Sequence, residues 1–243
     1  MASKSNDRLA VLIDADNAQA AGIANLLAEI ARYGIASVKR AYGDWTTTNL
    51  RLWKSELHRH AIQPIQQFSY TTGKNATDSS LIIDAMDLLH AGNLDGFCLV
   101  SSDSDFTRLA TRLRESGVIV YGFGERKTPD PFVSACDKFT YTEILSTATE
   151  GSISTVSRDL PALESLLRPA IEDSARENGW SHLGNVGHYI RKSHPSFDER
   201  NYGYRKLGDL ARGQPYVEVE EMQSGDGSAL FVRLKDTSRR AKS

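Results

Sequence analysis

Two acidic clusters, each at the end of an apolar run, are the residues best suited to chemistry in this chain. The run Leu9-Ala-Val-Leu-Ile13 stops at Asp14-Ala-Asp-Asn17, and Gly96-Phe-Cys-Leu-Val100 stops at Ser101-Ser-Asp-Ser-Asp105. Apolar runs of this length, bounded by polar residues, read as buried strands of a parallel sheet. Ligands of such sheets sit beyond the carboxyl ends of the strands, where the strand order reverses. If the two strands are neighbours, Asp14, Asp16, Asp103 and Asp105 converge. Crowded carboxylates must share protons or hold a hard cation such as Mg2+ or Mn2+, and we read the cluster as a metal site.

Short polar residues after Val100 let the chain leave the sheet and turn into a helix, with Asp103 at the strand tip and Asp105 in the first turn. Helix capping competes for each position. Asp16 or Asn17 could satisfy the free N–H groups of one helix, and Asp103, Ser104 or Asp105 those of the next, at about 1 kcal/mol per cap. One cap needs one residue, so the excess of candidates in the second segment favours function for at least one aspartate. Lys74-Asn-Ala-Thr-Asp78 opens a further helix. An aspartate in a first turn is stabilised by the helix dipole and kept ionised for a cation, which makes Asp78 the third candidate ligand, although Thr77 or Asp78 could also cap. Asp84 and Asp87 share a helix face, and Asp84 reads as a solvated charge with a supporting role left open. Lys74 and Arg108 are the candidate phosphate contacts, Arg108 because it lies nearest the aspartates.

The elements that must position these residues alternate. Strands are predicted over 9–13, 36–42, 62–70, 96–101 and 118–123, with helices over 18–33, 48–60, 77–90 and 105–116, which implies a parallel sheet covered on both faces. Pro64 suggests that the third strand lies at an edge. Residues 146–158 are Ser/Thr-rich, without apolar periodicity, and read as a linker. Beyond it come helices over 160–178, 183–192 and 204–212. Strands over 216–222 and 229–234 follow, joined by the turn Ser224-Gly-Asp-Gly-Ser228, which is the winged-helix order. The expected domains are thus 1–145 and 159–236, with a frayed polar tail over 237–243.

At 243 residues the chain can bury two modest cores. A hydrophobic share of 40% and a charged share of 25% are those of a soluble globular protein. The net charge of −2 argues against electrostatic coating of nucleic acid but not against a local basic groove. Cys98 and Cys136 have no CxxC or Cys/His company, which disfavours zinc and a disulfide scaffold. No stretch has the length of a membrane span and no signal-peptide core opens the chain, so a cytoplasmic protein with no membrane partner is expected. An aspartyl-phosphate at Asp14 would resemble the dehalogenase-type phosphotransferases, whose pattern has Thr or Val closely following the DxD, where Asn17-Ala-Gln19 stands. Gly122-Phe-Gly124 follows the last strand and lacks the other glycines of a dinucleotide site.

Ile13-Asp-Ala-Asp-Asn17, Lys74-Asn-Ala-Thr-Asp78 with Ile83-Asp-Ala85, and Val100-Ser-Ser-Asp-Ser-Asp-Phe106 together resemble the three motifs of NYN domains. These belong to the PIN-like superfamily of metal-dependent ribonucleases. The resemblance covers roughly residues 8–145 and implies a PIN-like α/β fold with a Mg2+- or Mn2+-dependent site. Carried over by motif, Asp14, Asp78 and Asp103 are the main acidic positions, Asp105 assists, and Asn17 and Ser101 stand beside them at the substrate. Ser102 departs from the glycine often found there. Carboxylate-held divalent ions lower the pKa of a bound water and neutralise developing phosphate charge, so no His or Ser nucleophile is required. The implied activity is endonucleolytic hydrolysis of RNA. Some NYN domains have lost activity, which keeps an inactive RNA- or protein-binding adaptor as the alternative.

Residues 160–234, with Trp180-Ser-His-Leu-Gly184, Lys192-Ser-His-Pro-Ser-Phe197 and Asn201-Tyr-Gly-Tyr-Arg-Lys-Leu207, are similar to LOTUS (OST-HTH) domains. That resemblance implies a small winged helix that associates with single-stranded or structured RNA and with protein partners. Arg205 and Lys206 are candidate phosphate contacts, and Tyr202 would stack on a base if exposed. Core packing is the competing reading for Tyr202, Tyr204 and Phe197. A homo-oligomer is left open.

Overall fold

The structure, a computed structural model, describes residues 6–68, 76–146, 160–224 and 227–235. The chain divides into two compact units, Met1–Gly151 and Ser152–Ser243.

The first unit is a six-stranded sheet in the order β3-β2-β1-β4-β5-β6 with every pair parallel. Its strands are β1 (Arg8–Asp14), β2 (Ile35–Gly43), β3 (Gln63–Gln66), β4 (Gly96–Val100), β5 (Ile119–Gly124) and β6 (Lys138–Tyr141). Helices α1 (Ile23–Ile30), α2 (Trp53–Arg59) and α6 (Glu143–Ser146) cover one face, and α3 (Ala76–His90), α4 (Thr107–Glu115) and α5 (Asp130–Ala135) the other. Side chains of a strand alternate between faces. Leu9, Val11 and Ile13 accordingly pack under α1 and α2, while Ala10 and Leu12 pack under α3 and α4. Asp14 continues the second series, so it faces the α3 side. The chain runs outward from β1 to β3 and then returns to lay β4 against the other side of β1. The strand order therefore reverses between β1 and β4, where Ile13 pairs with Val100 and brings Asp14 level with Ser101.

The expected edge position of the Pro64 strand holds, since β3 closes one side of the sheet. The helix expected over 18–33 is shorter: Ala20–Gly22 form a 3-10 turn before α1. The sheet also gains α5 and β6, which have no counterpart among the sequence expectations. Gly122 admits this edge, because a Cβ there would lie 2.4 Å from the Phe139 ring and 2.6 Å from the Cys136 sulfur.

The second unit contains α7 (Leu163–Asp173), α8 (Leu183–Ser193) and α9 (Leu207–Arg212). A three-stranded antiparallel sheet completes it, in the order β7 (Ser181–His182), β9 (Gly227–Leu234), β8 (Val217–Ser224). Leu167, Ile171, Val186, Ile190, Leu210 and Val232 form its centre. The first of these helices stops well before Asn178. The Arg176 N–H turns to the Trp180 carbonyl at 3.0 Å, and Gly179 closes the turn at φ +76°, a conformation that favours glycine. Among the described residues no helix is long and apolar enough to cross a membrane.

Candidate active site

Asp14 ends β1 with no solvent exposure. Its Oδ2 accepts from Ser101 Oγ at 2.7 Å and from Asn17 Nδ2 at 2.8 Å, while its Oδ1 is buried and meets no donor among the described residues. Burial raises its pKa even though both hydrogen bonds favour the carboxylate. Ser101 Oγ also accepts from the Asp103 N–H at 3.1 Å, linking the tips of the two central strands through one hydroxyl.

Asp103 caps the 3-10 turn Ser104–Phe106, its Oδ1 accepting from the Asp105 N–H at 2.9 Å. The capping reading therefore holds for Asp103, yet the cap does not remove it from the cluster. Asp78, Asp103 and Asp105 each bring one carboxylate oxygen within 4.8 Å of the others. Asp78 lies in the first turn of α3. Burial, followed by the charges of Asp14, Asp103, Asp105 and Asp16, pushes its carboxyl up to about 6. Asp16 is not a helix cap: its Oδ2 accepts from Thr77 Oγ1 at 3.0 Å and ties the tip of β1 to the start of α3.

Three carboxylates, Asp78, Asp103 and Asp105, thus meet at the switch point, and Asp14 and Asp16 stand outside that group of three but near enough for their charges to act on Asp78. Among the described residues neither Asp78 nor Asp103 pairs with a Lys or Arg. An all-oxygen donor set, a buried carboxylate oxygen without a donor and mutual repulsion form an environment that fits a hard divalent cation and gives soft metals no thiolate or imidazole.

Other sequence candidates fall differently. Asn17 and Ser101, expected to touch substrate, direct their side-chain hydrogen bonds at Asp14, so they orient a carboxylate. Arg108 is exposed on α4 beyond Asp105. Lys74 lies outside the described residues. Ser102 has its own task, with Oγ accepting from the Glu125 N–H at 2.8 Å. In the second unit Arg205 and Lys206 are exposed. Tyr202 is a correction: it is 9% exposed, packs its ring on Phe197 and donates from its hydroxyl to the Pro161 carbonyl at 3.0 Å. The condition for base stacking is unmet because the core takes the ring.

Asp84 is a second correction. It is not a solvated charge; Arg40 and the buried Tyr42 hydroxyl both bond its carboxylate. Both partners sit on β2 two positions apart and so share a face, which was the one available sequence signal.

No curated protein is similar to the chain at a significant level. A protein of unknown function from Vibrio parahaemolyticus is 21% identical, with 57% of this chain and 94% of that chain covered and a TM-score of 0.46. A protein from Chromobacterium violaceum is 32% identical over 33% of this chain and 87% of that chain, with a TM-score of 0.28. An uncharacterized protein from Nitrosomonas europaea is 33% identical over 35% of this chain and 90% of that chain, also at 0.28. Residues 8–146 match the NYN domain and residues 157–229 the OST-HTH/LOTUS domain, a pair that supports a nuclease-type and RNA-binding role. With more than half of its length in the first match, the chain belongs to the NYN-domain family and carries an OST-HTH/LOTUS domain behind it.

Proposed function

We propose that the protein is a metal-dependent endoribonuclease that hydrolyses RNA phosphodiester bonds, with its C-terminal unit recruiting the RNA. The observation that carries this reading is the convergence of Asp78, Asp103 and Asp105 beside the buried Asp14 at the strand-order switch. Asp14, Asp78, Asp103 and Asp105 would hold Mg2+ or Mn2+. Such an ion supplies an acidified water and offsets the charge that develops on the phosphate.

The chain's own residues do the rest. Ser101 and Asn17 fix the Asp14 carboxylate from one side and leave its Oδ1 for a ligand. The Asp16–Thr77 bond holds the start of α3, and with it Asp78, against β1. Arg108 offsets the negative charge of the pocket for an approaching phosphate backbone. Arg205 and Lys206 provide exposed phosphate contacts in the second unit, where positive groups dominate affinity for RNA.

The test is cleavage of a mixed-sequence RNA in Mn2+ by the full chain, Asp14→Asn and Asp103→Asn. The reading expects the parent to cut and both variants to bind RNA without cutting. Equal cleavage by all three would assign the activity elsewhere, and binding without cleavage by the parent would leave the adaptor reading.

A further inference from the structure

On the α1 and α6 side of the same sheet end lies a cavity of about 520 Å3, of the size that takes a small ligand. Asn17 and Ser101 line it as well, so it shares a wall with the acidic site. Its apolar wall is built from Leu26, Trp53 and Phe123, and its polar rim includes Gln19, Glu125 and Glu143. Among the described residues no Lys or Arg lines the cavity; Lys127 acts on Glu125 and Glu143 from outside its lining, and two carboxylates against one ammonium leave a rim that disfavours a phosphate and favours a neutral group that donates hydrogen bonds. Glu125 is partly committed: Lys127 Nζ lies 2.8 Å from its Oε2, and Gln19 Nε2 donates to its Oε1 at 3.3 Å. Glu143 accepts the Arg126 N–H on Oε1 at 2.8 Å, and its Oε2 accepts no hydrogen bond among the described residues.

An apolar wall, a carboxylate acceptor on the rim and a shared wall with a phosphodiester site describe the place for a base turned out of a strand. Unpaired RNA bases are read in this way, by stacking and by hydrogen bonds to their edges. Guanine is the common base that presents two adjacent N–H donors, N1–H and N2–H2, to one carboxylate. We propose that this cavity takes an unpaired guanine of the bound RNA, with Glu143 accepting from that edge, so that cleavage falls next to guanines. The inference rests on the nuclease reading for its consequence, but the binding step needs neither metal nor cleavage.

The experiment titrates guanosine, which carries no phosphate, into the metal-free full chain and follows the Trp53 indole N–H by NMR. Guanosine is expected to shift that resonance saturably and at least roughly tenfold more tightly than uridine, one base-specific contact being worth about that factor. Glu143→Gln keeps an oxygen for the Arg126 N–H and should remove the preference at unchanged melting temperature. No shift, equal binding of the two nucleosides, or an unaltered preference in Glu143→Gln would each overturn the proposal. RNA cut in Mn2+ without regard to guanine would end it while leaving the nuclease intact. Guanosine bound by a chain that never cuts would end the nuclease and leave the cavity.

Discussion

Asp78 and Asp84 stand about 9 Å apart along the axis of α3, yet one is neutralised inside the fold and the other is not. Asp84 takes Arg40 on one oxygen and the Tyr42 hydroxyl on the other, and the phenol, pushed up by burial and by that carboxylate, stays a donor. Among the described residues, Asp78 meets more negative charge, from Asp14, Asp103, Asp105 and Asp16. The contrast separates two uses of one residue type. A carboxylate whose cation is supplied by the chain joins a helix to a sheet. A carboxylate surrounded by carboxylates must take a proton or a cation from solution.

The largest expected effect breaks the comparison at its unsatisfied end. Asp78→Asn should lower Mn2+-dependent cleavage by roughly a hundredfold or more, while the metal-free melting temperature holds or rises because a repelled charge has gone. Paired activity and melting measurements on the same preparation check both halves. Ser101→Ala should act next, weakening Mn2+ binding by about tenfold, since Asp14 loses its shorter hydrogen bond and the Asp103 N–H loses its acceptor. Calorimetric titration reads that change.

At the satisfied end, Asp84→Ala should cost about 2 kcal/mol. This is below the 3–5 kcal/mol range for a fully buried pair because both side chains keep some exposure. Denaturant unfolding measures it, and an unfolding free energy equal to that of the parent would erase the distinction between the two aspartates.

The pH dependence sharpens the comparison with the smallest signal. A folded-state carboxyl raised to about 6 from 3.8 means that the metal-free fold holds more protons than the unfolded chain across that window. Its stability contribution therefore falls as pH rises from 3.8 to about 6. Mn2+ competes with those protons and should raise the melting temperature near pH 7 far more than near pH 4.

Much of this was legible before any coordinates, and the reasons are local. The tips of β1 and β4 stood out because fully buried strands have no polar residue until they end, so the first aspartate after each run marks the sheet edge. Asp78 stood out by its helix start. The edge formed by α5 and β6 was not legible: Lys138-Phe-Thr-Tyr141 is four residues long and begins with a charge. Asp84 was misread because spacing with Asp87 suggests a wet face, whereas its partners come from β2, 44 and 42 residues away in sequence. Tyr202 was left between base stacking and core packing because its neighbours in sequence are polar, and what places it inward is distant: the Phe197 ring and the Pro161 carbonyl, 41 residues away in sequence.

The central claim is that folding gathers Asp14, Asp78, Asp103 and Asp105 into a pocket that needs a divalent cation. Anomalous diffraction from crystals of the full chain soaked in Mn2+ tests it most directly. The account predicts a manganese peak touching Asp14 or Asp103 within the cluster, and loss of that peak in Asp14→Asn. A fully soaked crystal with manganese only at other surface carboxylates would contradict it.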